Sequence, residues 1–169
     1  MKMKKFIILF LATIALSGCT QEVTFNNPSV QGTKDNYFWR AKTFSATVDP
    51  VANSIILQAT SQFETLTLKM PLPSATSIYP ITTILGTGSA TVGFTNPEAT
   101  FSYVVNGQNL FYATGVNAQD GQIILSEYDP INKTISGTYR FNSFNVGNNP
   151  LGNPIVNFTN GVFYKVPVN

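Results

Sequence analysis

The chain contains no histidine and a single cysteine in 169 residues. Without imidazole there is no Ser-His-Asp or Cys-His nucleophilic catalysis, and the usual zinc, copper and haem ligand sets are missing as well. One cysteine cannot close an internal disulfide, so the fold must rest on its apolar core. Charge is scarce, at 11% Asp, Glu, Lys and Arg. Lys2, Lys4 and Lys5 supply three of the ten basic residues, and seven basic against eight acidic residues remain after them. That near-neutral balance offers no basic patch of the kind nucleic-acid binding needs. The longest apolar run, from Phe6 to Leu16, is interrupted only by Thr13. It falls short of the roughly 20 residues that cross a bilayer. What is left is carboxylate chemistry, Ser/Lys chemistry, oxygen-ligated calcium, or no chemistry. No cofactor is expected.

What is present begins with a charged, then apolar, then small layout, which is that of an export signal. It ends in Leu16-Ser17-Gly18-Cys19. This segment resembles the lipobox of bacterial lipoproteins. The resemblance implies cleavage before Cys19, a diacylglycerol on its thiol, and an acyl chain such as palmitate on the new amine. Two or more chains give stable anchoring where one is marginal. An odd cysteine in an exported chain otherwise has no partner. Residues 1–18 are therefore expected to be a lipoprotein signal peptide. Residues 19–35 should be the lipidated cysteine and a flexible tether, and 36–169 an all-β domain of ordinary size.

Beyond Asp35 the pattern is period-two alternation. Phe44, Ala46 and Val48 alternate with Ser45 and Thr47; Leu66, Leu68 and Met70 with Thr65, Thr67 and Lys69; Ile135, Gly137, Tyr139 and Phe141 with polar partners. Such alternation gives each strand one buried and one wetter face. Turn signals separate the runs: Asp49-Pro50, Asn106-Gly107 of the I′ hairpin type, and Asp129-Pro130-Ile131-Asn132. The spacing predicts strands near 37–40, 43–49, 54–60, 64–70, 76–84, 89–95, 99–105, 109–115, 121–128, 133–144 and 155–166. About ten strands around one core predict an antiparallel meander forming a barrel-like or two-sheet sandwich domain. Met70-Pro71-Leu72-Pro73 should end a strand. Asn145 to Pro154 reads as a surface loop.

Several segments together resemble a family of small, uncharacterised lipoproteins of Bacteroidota, flavobacteria especially. They are Phe38-Trp39-Arg40-Ala41, Phe44-Ser45-Ala46-Thr47-Val48-Asp49, Ile78-Tyr79-Pro80-Ile81, Lys133 through Phe141, and Phe158-Thr159-Asn160-Gly161-Val162-Phe163. The resemblance covers most of residues 36–166 and implies fold and location only. The chain departs from it at Asp35-Asn36, where Val-Asp-Gly is common.

Tyr37-Phe38-Trp39-Arg40 is the densest aromatic cluster. Tyr37 and Trp39 share a strand face and are the candidate ligand contacts, with core filling as the plainer alternative. Glu127 and Asp129 are two apart, as a glycosidase pair or an ordinary solvent face would be. Asp120 with Asp129 could frame a calcium ion, although the EF-hand spacing is absent. Asn160-Gly161 suggests a bulge with glycine supplying positive φ, and Gly137 a close aromatic approach. No residue is assigned as catalytic or metal-binding.

The expected protein is a non-enzymatic, lipid-anchored envelope protein with a binding or structural role, its membrane contact made through the anchor. Carriage of a small apolar ligand in a barrel interior is the first alternative; a glycan-binding or carboxylate-based glycan-hydrolysing module is the second. An outer-membrane position is expected. Only one acid follows the cysteine, in Thr20-Gln21-Glu22, which favours the periplasmic side over the cell surface.

Overall fold

The computed structural model describes residues 27–72, 77–81, 97–115 and 120–169. Within these lie the strands β1 (Ser29–Lys34), β2 (Tyr37–Arg40), β3 (Thr43–Asp49), β4 (Ser54–Ser61), β5 (Glu64–Pro71), β6 (Ser77–Ile81), β7 (Glu98–Val105), β8 (Gln108–Ala113), β9 (Gly121–Asp129), β10 (Thr134–Asn145) and β11 (Ile155–Pro167). The all-β, antiparallel expectation holds. The strand expected at 89–95, the signal and Cys19 lie outside the described residues.

The strands join one curled sheet; nine follow the order β2-β1-β11-β10-β8-β7-β5-β4-β3, and β9 with β6 branches off at β10. A parallel bridge between Ala46 and Val168 brings β3 back to the end of β11. The long strand β10 serves two neighbours on one edge. Its first two-thirds pair with β9, and Phe144 and Asn145 then pair with Ala113 and Tyr112 of β8. The sheet thus splits at β10 and wraps around its own inner face as a half-barrel.

Two features depart from a simple meander. First, Ser29–Lys34, assigned by the sequence to the tether, is a strand hydrogen-bonded between β2 and β11. Its alternation is invisible because only Val30 points an apolar side chain inward; at Gly32 the space is taken by Tyr139, whose hydroxyl would lie 3.2 Å from a Cβ there. Tyr139 in turn donates to the carbonyl of Gln31 at 3.2 Å. Second, β6 leaves the sequential order to pair with β9, so β5 pairs directly with β7. Pro80 fits β6 because β9 is that strand's one neighbour among the described residues.

The inner face carries Ile55, Leu57, Leu66, Leu68, Met70, Phe101, Tyr112, Ile123, Phe158 and Phe163, all essentially without solvent contact. Leu66, Leu68 and Met70 among them are alternate positions that the period-two pattern picked out. Phe158 sits at the centre, with ring centroids 4.9 Å from Phe141, 5.3 Å from Phe101 and 5.7 Å from Trp39. A carrier would need its ligand where these rings touch.

Glycines set the closest approaches. A Cβ on Gly137 would lie 2.1 Å from the Ile124 carbonyl and 2.4 Å from Phe163. At the β11 bulge the expected role is reversed: Asn160 takes the positive φ of 50°, and Gly161 instead admits the Tyr139 ring, 2.5 Å from where its Cβ would be. Asparagine tolerates the left-handed region better than most side chains, and it is exposed here.

Candidate functional site

Strand direction sorts the turns into two groups. The β1–β2, β4–β5, β7–β8 and β10–β11 connections lie at one pole. The β3–β4 and β9–β10 turns lie at the other, beside the last residues of β11. Ser29, where the chain enters the sheet, pairs with Tyr164 and heads away from the first pole. The first pole is therefore distal to the N-terminal segment.

The distal pole is rich in exposed apolar side chains. Asp35 and Asn36 form a two-residue loop with φ of 48° and 69°, the type I′ signature. That tight turn presents Tyr37 (77% exposed) and Phe38 (72%). The β4–β5 turn presents Phe63 (66%), whose carbonyl accepts from the Val104 amide at 3.3 Å. Val104, Phe111, Val146, Leu151 and Ile155 are further exposed apolar residues toward this pole. The connection is physical: Val146 N donates to Phe111 O at 2.9 Å, and Asn149 Nδ2 to Gln108 Oε1 at 3.4 Å. Tyr37, Phe38 and Phe63 alone expose roughly 400 Å² at about 200 Å² per full aromatic side chain. A monomer's largest ordinary apolar patch is of that size before the aliphatic residues are added.

Beneath this surface lies a polar plug. The Glu64 carboxylate accepts from the Lys34 ammonium and from Trp39 Nε1, the latter at 2.6 Å. Lys34 Nζ also lies 5.0 Å from the Phe101 ring centroid and 5.7 Å from that of Tyr103. Tyr103 and Tyr112 stack at 5.7 Å with hydroxyls 3.2 Å apart, and Tyr112 donates to Asn153 O at 3.0 Å. Burial and the Tyr103 hydroxyl push the Tyr112 phenol well above its usual range. The plug fixes the base of the β1–β2 and β4–β5 hairpins, so their aromatic tips stand on a rigid floor.

The sequence candidates separate here. Tyr37 belongs to the exposed surface. Trp39, paired with it as a ligand contact, is 4% exposed, packs edge-on against Phe158 and is held by Glu64. The alternation rule put both on one face, but Tyr37 lies beyond the edge of the core and Trp39 inside it. Glu127 is exposed and near Ser136 Oγ at 3.1 Å. Asp129 caps its own turn, accepting from Ile131 N and Asn132 N at 2.9 Å each. The Asn132 amide and side chain hold its carboxyl below the usual range. Asp120 precedes β9 and Asp129 is the last of its nine residues, so the two lie on the order of 30 Å apart by strand rise and cannot share an ion. No cluster of three His, Cys, Asp or Glu occurs among the described residues. Phe63 and the apolar residues of the β10–β11 loop were missed because single apolar residues in turns carry no periodic signal, and Val104 because it sits on the outer face at the end of β7.

The geometry defines an all-β half-barrel with a plugged, aromatic distal end. The family of the domain is identifiable: the model of a domain of unknown function, DUF6252, matches residues 26–167, and the chain belongs to that family. A prokaryotic membrane lipoprotein lipid-attachment site matches residues 3–20, which fits a lipid-anchored envelope protein. No curated protein and no solved structure matches the chain.

Proposed function

We propose that this is a non-enzymatic outer-membrane lipoprotein of the Bacteroidota type that holds a protein partner on its distal pole. In this reading Leu16-Ser17-Gly18 directs removal of the signal, Cys19 carries the acyl chains, and the domain faces the periplasm. The observation that carries it is the solvent-exposed apolar surface of Tyr37, Phe38 and Phe63 on a rigid floor. Aromatic residues on a fixed scaffold are typical binding anchors because they bury much area for little side-chain entropy. The packed interior supports this reading over carriage of a small ligand. A second reading, glycan binding, is favoured by the exposed amides of Asn36 and Asn106 beside the aromatic tips.

The test is photocrosslinking in the native cell with a benzophenone side chain at position 38, and at Thr138 on the exposed sheet wall as control. A discrete protein adduct at 38 that is absent at 138 is expected. No adduct at 38, or the same adducts at both positions, refutes the proposal. Titration of the purified domain with envelope oligosaccharides decides the glycan reading.

A further inference from the structure

The pole opposite the aromatic surface is formed by two turns of the same construction. Asp49-Pro50-Val51-Ala52-Asn53 and Asp129-Pro130-Ile131-Asn132-Lys133 both open with Asp-Pro and both close with a residue of positive φ, Asn53 at 48° and Lys133 at 52°. In each, the aspartate Oδ1 accepts from the amides two and three residues on, at 2.9 to 3.0 Å. In each, the residue after proline is a branched aliphatic held out to solvent. Val51 is 90% exposed and Ile131 is 89% exposed. No other apolar side chains among the described residues are so exposed.

The two turns flank the same stretch of chain. Val168 N donates to Lys133 O at 2.8 Å, and Asn169 N donates to Ala46 O at 2.9 Å. Val48, Tyr128, Pro130, Lys133, Val168 and Asn169 line a hollow of about 250 Å³ between them. Val51 and Ile131 thus belong to two turns that flank the end of β11.

The position of the N-terminal segment says what lies below them. Ser29 pairs with Tyr164, and the preceding residues lead toward the end of β11 that carries these turns. Nine residues, or ten Cα-to-Cα steps, separate Cys19 from Ser29. These steps reach at most about 35 Å. An acylated Cys19 would therefore hold this pole, rather than the aromatic one, on the bilayer side.

We infer that the β3–β4 and β9–β10 turns form a membrane-resting surface, with Val51 and Ile131 set into the interfacial zone of the bilayer that holds the Cys19 anchor. The inference rests on the lipid anchor but not on the distal partner. The surface is apolar rather than cationic: Lys133 and Lys165 are offset by Asp129 and Asp49. Contact should therefore not depend on anionic lipid. Because the anchor already holds the domain at the surface, two shallow aliphatic tips suffice to fix its orientation.

The test uses the full lipidated protein in vesicles of phosphatidylethanolamine with and without phosphatidylglycerol. Acylation of Cys19 leaves an introduced cysteine as the only free thiol. Val51→Cys, Ile131→Cys and, at the far pole, Phe63→Cys are each labelled with a polarity-sensitive nitrobenzoxadiazole dye. Blue-shifted emission and quenching by nitroxide lipids are expected at 51 and 131 but not at 63, with equal size in both vesicle types. Aqueous emission at all three positions overturns the inference. So does a signal at 51 and 131 that appears only when a periplasmic extract is added, since that assigns the surface to a protein. Doubling the tether by a Gly-Ser insertion after Glu22 should lower quenching at 51 and 131 several-fold; unchanged quenching would also overturn it.

Discussion

Replacing Glu64 by alanine removes the carboxylate that ties β1, β2 and β5 together. Two costs follow. The Trp39 indole N–H loses a hydrogen bond to a charged acceptor, worth about 1.5–3 kcal/mol. Lys34 is left half-buried, with the Phe101 and Tyr103 rings as its nearest attraction. Its ion pair with Glu64 is partly exposed, at 22% and 25% for the two side chains, so its own share is held to about 1 kcal/mol. Together the loss should be about 3 kcal/mol, or roughly a 10 °C fall in Tm for a domain of this size. Glu64→Gln keeps an acceptor for Trp39 and drops only the charge, so it should cost about half as much.

Urea unfolding of the domain from residue 27 measures this directly, because Trp39 is the only tryptophan and sits in the interaction being cut. Its emission should shift to the red in the folded Glu64→Ala protein as water reaches the indole. A double-mutant cycle with Lys34→Met should give a coupling of about 0.5–1 kcal/mol. A loss in Glu64→Ala below about 0.5 kcal/mol with unchanged Trp39 emission would refute the plug, since surface substitutions alone have effects of that size.

Two further outcomes are expected. Gly137→Ala should prevent folding or cost more than about 3 kcal/mol, because the new methyl meets a ladder carbonyl that cannot move without breaking the β9–β10 pairing; circular dichroism of the purified domain checks it. Tyr112 and Tyr139 have phenol pKa values raised in the folded state by burial, above the ordinary value of 10.0. Their contribution is fully present below pH 10 and is lost as pH climbs from there toward the folded-state values, because the unfolded chain releases the protons first. Stability measured in urea should therefore be flat from pH 8 to 9.5 and fall above about pH 10, less steeply in Tyr139→Phe.

Much of this was legible in the sequence, for a physical reason. Alternation marks a strand when one face is apolar and the other is not, as in Leu66-Thr67-Leu68-Lys69-Met70, and those strands fall where expected. It fails for β1, whose inward positions are Val30 and Gly32, because Tyr139 from β10 fills the space a larger residue would have marked. The departure of β6 to β9 leaves no local trace, since pairing partners are chosen by distant faces. Tyr37 and Trp39 share a strand face, yet only Trp39 fills the core, because position along a strand, not alternation alone, decides whether a ring reaches it.

Both proposed surfaces were illegible for a different reason. Tyr37 and Val104 come from the ends of β2 and β7, Phe63 and Leu151 from two connections, and Val51 and Ile131 from two more; each alone looks like an ordinary exposed residue. Sheet direction is what collects them. In a strict antiparallel meander successive turns alternate between poles, so apolar turn residues could be sorted by counting. That count fails here three times. Chain direction is kept from β2 into β3, where Ala41 N binds Val30 O and Lys42 N binds Thr60 O, from β6 to β7, and again from β8 to β9. Only the register of β10 and β11 restores it, by placing residues 146–154 at one pole and the Asp129 turn at the other. The long shared pair β10–β11 is therefore the element that gives the domain its two poles, the membrane side and the far side of the proposals above. A substitution that shifted its register would move both surfaces at once, while changes in the turns themselves alter one pole and leave the fold in place.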